Sequence, residues 1–270
     1  MLAFNHLGKL GRLGNQMFQY AALRGIAAAR GYEWCIPKHN EVFVDGIGNK
    51  LRIELFDVFQ LSNCGPKNIF LLDRGYAPVV EEKSFSFDQE LLSLCPNDVS
   101  LFGYFQSEKW FKHIENQIRD DFTFLDEVSA PCREMISSVE NPIALHIRRT
   151  DYVLNSQNHF NLGIDYYENA LKLFDDNRNV IVFSDDPNWC KQQSLFSDDR
   201  FLISENTDNR IDLCLMSLCS DFIIANSTFS WWGAWLANRG DVVAPKNWFG
   251  PALEKNHNTE DLLLKHWKVI

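Results

Sequence analysis

No C-x-x-C pair occurs in this chain, and its seven cysteines (Cys35, Cys64, Cys95, Cys132, Cys190, Cys214 and Cys219) are odd in number. Both a disulfide framework and a zinc ribbon are disfavoured on that ground. Cys214 and Cys219 stand among leucines on an expected helix, where buried free thiols in a reducing compartment are the natural reading. Positive charge is not in surplus: 26 Lys and Arg oppose 36 Asp and Glu, a formal net charge of −10. That excludes an overall basic field for gripping nucleic acid, though not a local basic site for a phosphate. No apolar run approaches the ~20 residues of a transmembrane helix. The best candidate, Ile211–Ala225, is broken by Asp212, Ser217, Ser220 and Asp221. Met1–Phe4 is too short for the apolar region of a signal peptide, so a soluble, cytoplasmic protein is expected.

What the chain does have is 270 residues, 46% of them hydrophobic, enough to fill the cores of two modest domains. In the second half the pattern alternates. Apolar runs at Ile143–Ile147, Val180–Phe183, Phe201–Ile203, Phe222–Ala225 and Asp241–Ala244 predict five strands. Helices are expected between and after them at Tyr166–Phe174 (with Asp165 as N-cap), Pro187–Phe196, Arg210–Cys219, Ser230–Asn238 and Glu260–Trp267. Such alternation predicts βαβ units and a parallel sheet. The first half is less regular. Phe18, Ala22, Ile26 and Ala29 mark a helix over Gln16–Arg30 closed by Gly31. A strand follows at Glu33–Pro37, and another helix is expected at Glu108–Arg119 after the aromatic cluster Gly103-Tyr104-Phe105-Gln106 with Trp110 and Phe111. Lys38–Asn97 has no steady period. The turn-rich stretch Ser129–Pro142 is the expected boundary, giving domains 1–138 and 139–270.

In an open α/β sheet ligands bind outside the carboxyl ends of the strands. There the second half places His146-Ile147-Arg148-Arg149-Thr150-Asp151, then Ser184-Asp185-Asp186, then Asn226-Ser227-Thr228-Phe229-Ser230, then Pro245-Lys246-Asn247-Trp248. Arginine forks, hydroxyls at a helix start and carboxylates suit a nucleoside diphosphate. Plainer roles are open for each: Arg148 and Arg149 could pair with Asp151 and Asp185, and Asn226 and Ser227 could cap a helix. The glycine loop Gly8–Gly14 is neither G-x-G-x-x-G nor a P-loop. Beside it, Asn15 either caps a helix or offers its amide to a ligand. Trp231 and Trp235 share a helix face while Trp232 points elsewhere. Core packing is the default for all three, and stacking on a sugar or base the alternative.

Gly11-Arg12-Leu13-Gly14-Asn15-Gln16-Met17-Phe18-Gln19-Tyr20-Ala21-Ala22 resembles the opening motif of the α-1,2-fucosyltransferases of glycosyltransferase family 11. His146–Asp151 with Tyr152-Val153 is similar to that family's H-x-R-R-x-D motif. Phe183–Asp186 with Trp189 resembles its third motif, Leu215–Cys219 a helix signature, and Asn226–Leu236 its fourth. Arg12 departs from the family's bacterial members, which commonly carry a second glycine there, although protein O-fucosyltransferases have an arginine in a similar place. Thr150 departs as well, being often glycine.

The resemblance implies an α/β fold of the GT-B type: two Rossmann-like domains facing a cleft, with GDP-fucose held mainly by the second. It implies inverting transfer of L-fucose to the 2-hydroxyl of a terminal galactose, with no metal or other cofactor required. Arg148 would steady the departing diphosphate, supported by Ser227, Thr228 and the following helix, with Arg12 and Asn15 reaching it from the first domain. His146 and Asp185 or Asp186 would hold the guanosine, and Asn226 and Ser230 line the same edge. Asp151 and His159 are the candidate bases, although Asp151 could instead partner an arginine and His159 could simply face solvent. The expected partners are GDP-fucose and a galactose-terminated glycan, with no nucleic acid, and peripheral work at the inner membrane face is an expectation. Another GDP-sugar transfer, or carbohydrate binding without turnover, is the alternative. Acceptor preference is expected to reside in Lys38–Asn97.

Overall fold

The computed structural model describes residues 1–38, 42–44 and 50–270. The chain divides into two compact units, Met1–Leu125 with Asn258–Leu262, and Asp126–His257 with Leu263–Ile270. The first contains β1 (Leu2–Ala3), α1 (Leu13–Arg30), β2 (Trp34–Cys35), β3 (Val42–Val44), β4 (Lys50–Arg52), β5 (Val79–Glu81), α2 (Gln89–Leu94), β6 (Val99–Phe102) and α3 (Glu115–Asp121). The second contains α4 (Asp126–Ile136), β7 (Ile143–Ile147), α5 (Thr150–Leu154), α6 (Ile164–Leu171), β8 (Val180–Ser184), α7 (Pro187–Lys191), β9 (Phe201–Ile203), α8 (Asn209–Leu218), β10 (Asp221–Ile223), α9 (Thr228–Ala237), β11 (Val242–Ala244), α10 (Pro251–Glu254) and β12 (Lys268–Val269).

In the first unit a parallel sheet runs β2-β1-β6-β5, with Leu2 opposite both Trp34 and Val99, and β3 pairs antiparallel with β4. Helix α1 begins three residues before the expected Gln16 and ends where expected. Gly31 takes the left-handed conformation, φ 66°, and its N–H reaches the carbonyls of Ala27 and Ala28. The helix is buried from Leu13 through Ala27 at all but Asn15. Near its middle it passes so close to the backbone at Trp110 that a Cβ on Gly25 would lie 2.0 Å from that carbonyl oxygen. Seating Trp110 and Phe111 there breaks the helix expected at Glu108–Arg119 into two 3-10 turns, Glu108–Trp110 and Lys112–Ile114, followed by α3.

A buried ion pair crosses this core. Arg24 meets Asp121 through Nη1, Tyr20 donates its hydroxyl to the same carboxylate at 3.1 Å, and Asn63 donates its backbone and amide N–H to the other oxygen at 2.8 and 2.9 Å. Gln117 accepts from the far guanidinium nitrogen, and the Trp34 ring lies 4.9 Å from the guanidinium. Charge buried so deeply is tolerable only because each partner is satisfied.

In the second unit all six strands are parallel, in the order β12-β11-β10-β7-β8-β9. The five expected strands are present, each within two residues at its ends. β7 is central and wholly buried, its Ile143, Leu145 and Ile147 packing with Tyr167, Val180, Val182 and Ile223. Three expectations need correction. The division falls after Leu125 rather than after residue 138. Ser129–Pro142 reads as a turn-rich stretch, yet α4 runs through its first part, accommodating Pro131 and burying Val128 and Cys132 within the second unit, the Cys132 thiol 3.6 Å from the Ile211 carbonyl. The helix expected at Glu260–Trp267 does not form. Asn258–Leu262 clusters with the first unit, where Asp261 accepts from the Phe87 N–H and the Ser107 hydroxyl. The chain then adds β12 beside β11, closed by Ile270 N–H to Ala244 O at 3.1 Å. Finally, Asp165 sits inside the first turn of α6, and Gly163 is the cap.

All seven cysteines are free thiols, six of them buried. No helix among the described residues is long and apolar enough to cross a membrane. Replacing Arg24 by Met should strand the Asp121 carboxylate in the core and lower stability by about 3–5 kcal/mol, read as a shifted urea midpoint with an unchanged slope.

Candidate functional site

The carboxyl end of β7 leads into a turn fixed by the neighbouring strand. Asp185, just past β8, accepts the Arg149 N–H at 2.9 Å, the Thr150 N–H at 3.2 Å and the Thr150 hydroxyl. Arg148 is thereby held at the edge, one-fifth exposed, its Nη2 2.8 Å from the Asp151 carboxylate and its Nε 3.4 Å from Asp185. Arg149 stacks on Trp189, guanidinium carbon to ring centre 3.9 Å, and its Nε approaches Asp186 at 3.4 Å. Asp186 also caps α7, accepting the Trp189 N–H at 3.1 Å. The plainer pairings open from sequence are therefore present. Asp185 and Asp186, expected at the guanosine, organise the arginine turn, and Asp151 is the partner of Arg148. Burial would raise the Asp151 pKa, but the bond and charge of Arg148 outweigh it and hold it below the ordinary carboxylate range. A carboxylate so held is a weak base.

Tyr152 joins this turn to the end of β10. It lies four residues beyond Arg148, in α5, with the guanidinium 5.5 Å from its ring, and donates its hydroxyl to the Asn226 carbonyl at 3.0 Å. A bond with the Ser227 side chain is also made, and burial pushes its phenol up to about 12. Beyond it lies α9. Ser227 caps that helix, its hydroxyl accepting the Phe229 N–H at 3.3 Å. Thr228, half-buried, is the first helical residue. The α9 N-terminus and the Arg148 guanidinium are thus linked through one phenol ring, and both favour an anion.

Three of the residues expected to contact the ligand are buried, and the Nδ1 of His146 and the Oδ1 of Asn226 have no protein partner. Asn226 is buried, and its amide ties the Phe160 and Trp248 carbonyls at 2.9 and 2.8 Å. Ser230 is wholly buried, with its hydroxyl directed to the Ala225 and Ser227 carbonyls. His146 is also buried. Desolvation first, and then the Arg148 charge, bring its pKa down to about 3, so the ring is neutral, packed against Phe229. His159 is not a solvent-facing loop residue. Half-buried, it stacks on Tyr152 with ring centres 4.0 Å apart, and burial lowers its pKa, leaving a neutral imidazole near neutrality. The tryptophans follow the default reading: Trp231, Trp232 and Trp235 are buried, with Trp231 stacked on Trp235 and edge-on to Trp232. None offers a face for a sugar.

Arg12 and Asn15 belong to the first unit. Arg12 is exposed and stands as the N-cap of α1 without a capping bond from its side chain. Asn15 is not the cap but lies in the first turn, its Oδ1 accepting from Gln106 Nε2 at 3.0 Å. Gly11, at φ 76°, leaves the space in which the Asn15 amide sits. Of the stretch expected to govern acceptor choice, residues 39–41 and 45–49 lie outside the described residues. Among those described, no three His, Cys, Asp or Glu side chains gather as a metal ion would need. Sequence reasoning gave no role to Tyr152, Trp189 or Gln106. The four-residue spacing of Tyr152 from Arg148 was the one available signal.

Two parallel-sheet units, with an arginine and a helix N-terminus at one carboxyl edge, define an α/β protein of the GT-B glycosyltransferase type. The model of glycosyl transferase family 11 matches residues 3–270, and the chain belongs to that family. It is 30% identical to the O-antigen biosynthesis glycosyltransferase WbnK of Escherichia coli, over 95% of this chain and 97% of that one. It is 32% identical to an α-1,2-colitosyltransferase of Escherichia coli, over 88% and 90%. Identity to the galactoside α-(1,2)-fucosyltransferase 1 of Bos taurus is 25%, over 96% of this chain and 74% of that one. Among solved structures, the fucosyltransferase NodZ from Bradyrhizobium has the same fold, with a TM-score of 0.54 at 13% identity, covering 87% of this chain and 91% of that one.

His146 takes up a proton on unfolding below about pH 6.5 but not in the fold until about pH 3. The unfolded state therefore binds more protons in that window, and stability should fall by up to about 1.4 kcal/mol per pH unit as the solution is acidified. Urea unfolding across that range should show a shallower acid limb in His146→Gln than in the parent.

Proposed function

We propose that this chain transfers L-fucose from GDP-β-L-fucose to the 2-hydroxyl of a terminal galactose, inverting the anomeric centre. The observation that carries the reading is the linkage of Arg148, through Tyr152, to the N-terminus of α9. The acceptor oxygen attacks the anomeric carbon as the bond to the β-phosphate oxygen breaks, and that oxygen leaves with the electron pair. Negative charge growing on the diphosphate meets the Arg148 guanidinium and the amides that open α9, both already in place. Arg12 and Asn15 are assigned to the same diphosphate on the family resemblance. The neutral His159 ring, rather than Asp151, is suited to take the acceptor proton late in the reaction. No metal or other cofactor is invoked.

The donor sugar has a second reading, because one bacterial relative is an α-1,2-colitosyltransferase. Offering GDP-fucose and GDP-colitose in competition decides between them, and linkage analysis of the product decides the acceptor position. A lipid-linked glycan precursor at the inner membrane face, within O-antigen assembly, is the proposed setting. It rests on the relative WbnK.

Arg148→Ala should reduce transfer from GDP-fucose by roughly a hundredfold or more and weaken GDP binding by calorimetry, with the far-UV circular dichroism unchanged. Near-normal turnover would remove Arg148 from the mechanism. Activity is expected to survive EDTA. Complete loss restored only by Mn²⁺ would instead point to metal assistance at Asp185 and Asp186.

A further inference from the structure

Every part of the Tyr152 side chain is in use. Its ring stacks on the His159 imidazole, centres 4.0 Å apart and planes 8° from parallel, and the Arg148 guanidinium lies 5.5 Å from its centre. The hydroxyl gives its proton to the Asn226 carbonyl at 3.0 Å, so in its bond with Ser227 the phenol oxygen is the acceptor. Ser227 has a proton to supply, because as the cap of α9 its own oxygen accepts the Phe229 N–H at 3.3 Å. A phenylalanine would give the same stacking and the same attraction to a guanidinium. What the hydroxyl adds is a tie to Asn226 and Ser227, which lead into α9.

The far end of that tie is itself fixed. Asn226 follows β10, the strand beside β7, and its amide nitrogen binds the Phe160 and Trp248 carbonyls at 2.9 and 2.8 Å. The segment bearing His159 is pinned as well. Gly250 donates its N–H to the Asn158 carbonyl and Ala252 to the Gln157 carbonyl, each at 2.9 Å. A Cβ on Gly250 would lie 2.5 Å from the Ser156 carbonyl oxygen, a closeness that glycine alone permits. The phenol is therefore held between a stacked imidazole on a docked loop and the opening of a helix. Asp151 and Asp185 fix the direction of the Arg148 guanidinium, and Tyr152 fixes its distance from α9.

We propose that Tyr152 is a positioning residue whose hydroxyl keeps the Arg148 guanidinium in register with the N-terminus of α9, so that both meet one diphosphate. The proposal rests on the reading that Arg148 binds the diphosphate of a GDP-sugar. Its parts, Arg148, Tyr152, Asn226, Ser227 and α9, all belong to the second unit. Two donors acting on one anion must stand at a spacing that its oxygens can span. A spacing set in advance adds nothing to the barrier when charge grows. The benefit is greatest for the departing diphosphate, which carries more negative charge than when it is esterified to the sugar.

Tyr152→Phe tests it, since only the hydroxyl is lost. With GDP-fucose and lactose, kcat is expected to fall roughly tenfold while KM for the donor changes less than about threefold. GDP affinity by calorimetry should weaken alongside kcat, with the far-UV circular dichroism unchanged. In an Arg148→Ala background the same substitution should cause no further loss of transfer or of GDP affinity. A hydroxyl that served only the fold would weaken both backgrounds alike. Unchanged kcat in Tyr152→Phe, equal losses in the two backgrounds, or failure of Tyr152→Phe to fold would overturn the proposal while leaving the Arg148 reading intact. Full turnover and full GDP affinity in Arg148→Ala would overturn that reading and the proposal with it.

Discussion

One carboxylate holds together the turn at the carboxyl end of β7. Asp185 sits at the end of β8, one strand away from the arginine turn, and collects two backbone N–H groups and a hydroxyl from Arg149 and Thr150. Without those acceptors the turn after β7 would leave backbone donors unsatisfied near the edge of a buried sheet. With them, Arg148 projects from a fixed base. The same carboxylate lies 3.4 Å from the Arg148 Nε, so it orients the side chain as well as the backbone. On the proposed reading Arg148 meets charge that appears only in the transition state, and it then has to be in position beforehand, since reorganisation at that moment would add to the barrier.

That arrangement also settles the division of labour among the acidic groups. The chain carries a net charge of −10, yet the acids around Arg148 are ordered by partner rather than left to repel a phosphate. Asp186 caps α7 and Asp151 pairs with the arginine. Each carboxylate lowers the net positive charge of the site and in return removes conformational freedom from a guanidinium. Arg149 is stacked on Trp189 and directed toward Asp186, which sets it apart from Arg148 although the two are adjacent in sequence.

Much of the second unit was legible in the sequence, and the reason is physical. A strand buried on both faces reads as a continuous apolar run, and Ile143–Ile147 and Val180–Phe183 are such runs. The carboxyl-edge rule then gathers His146–Asp151, Asp185 and Asn226–Thr228 without further information. What it does not give is the use of each side chain. Asn226 and Ser230 look like ligand groups because they are polar, at the right edge and next to a helix start. Their burial, invisible in a single sequence, ties the Asn226 amide nitrogen and the Ser230 hydroxyl to neighbouring carbonyls. In the first unit the strands are two to four residues long, too short for periodicity to register. The pairing that defines Asn15 comes from Gln106, ninety-one positions away.

His146 sharpens the difference between motif and mechanism. A histidine beside an arginine at the edge proposed for the diphosphate invites the idea of a second cation. Burial and the neighbouring guanidinium both oppose protonation, and the single opposing influence, Asp185, does not overcome them. Protonating the ring would place two cations close together in a buried setting, which desolvation penalises. The neutral ring packs against Phe229, so that on the proposed reading the Arg148 guanidinium alone carries the positive charge that the carboxyl end of β7 offers a diphosphate.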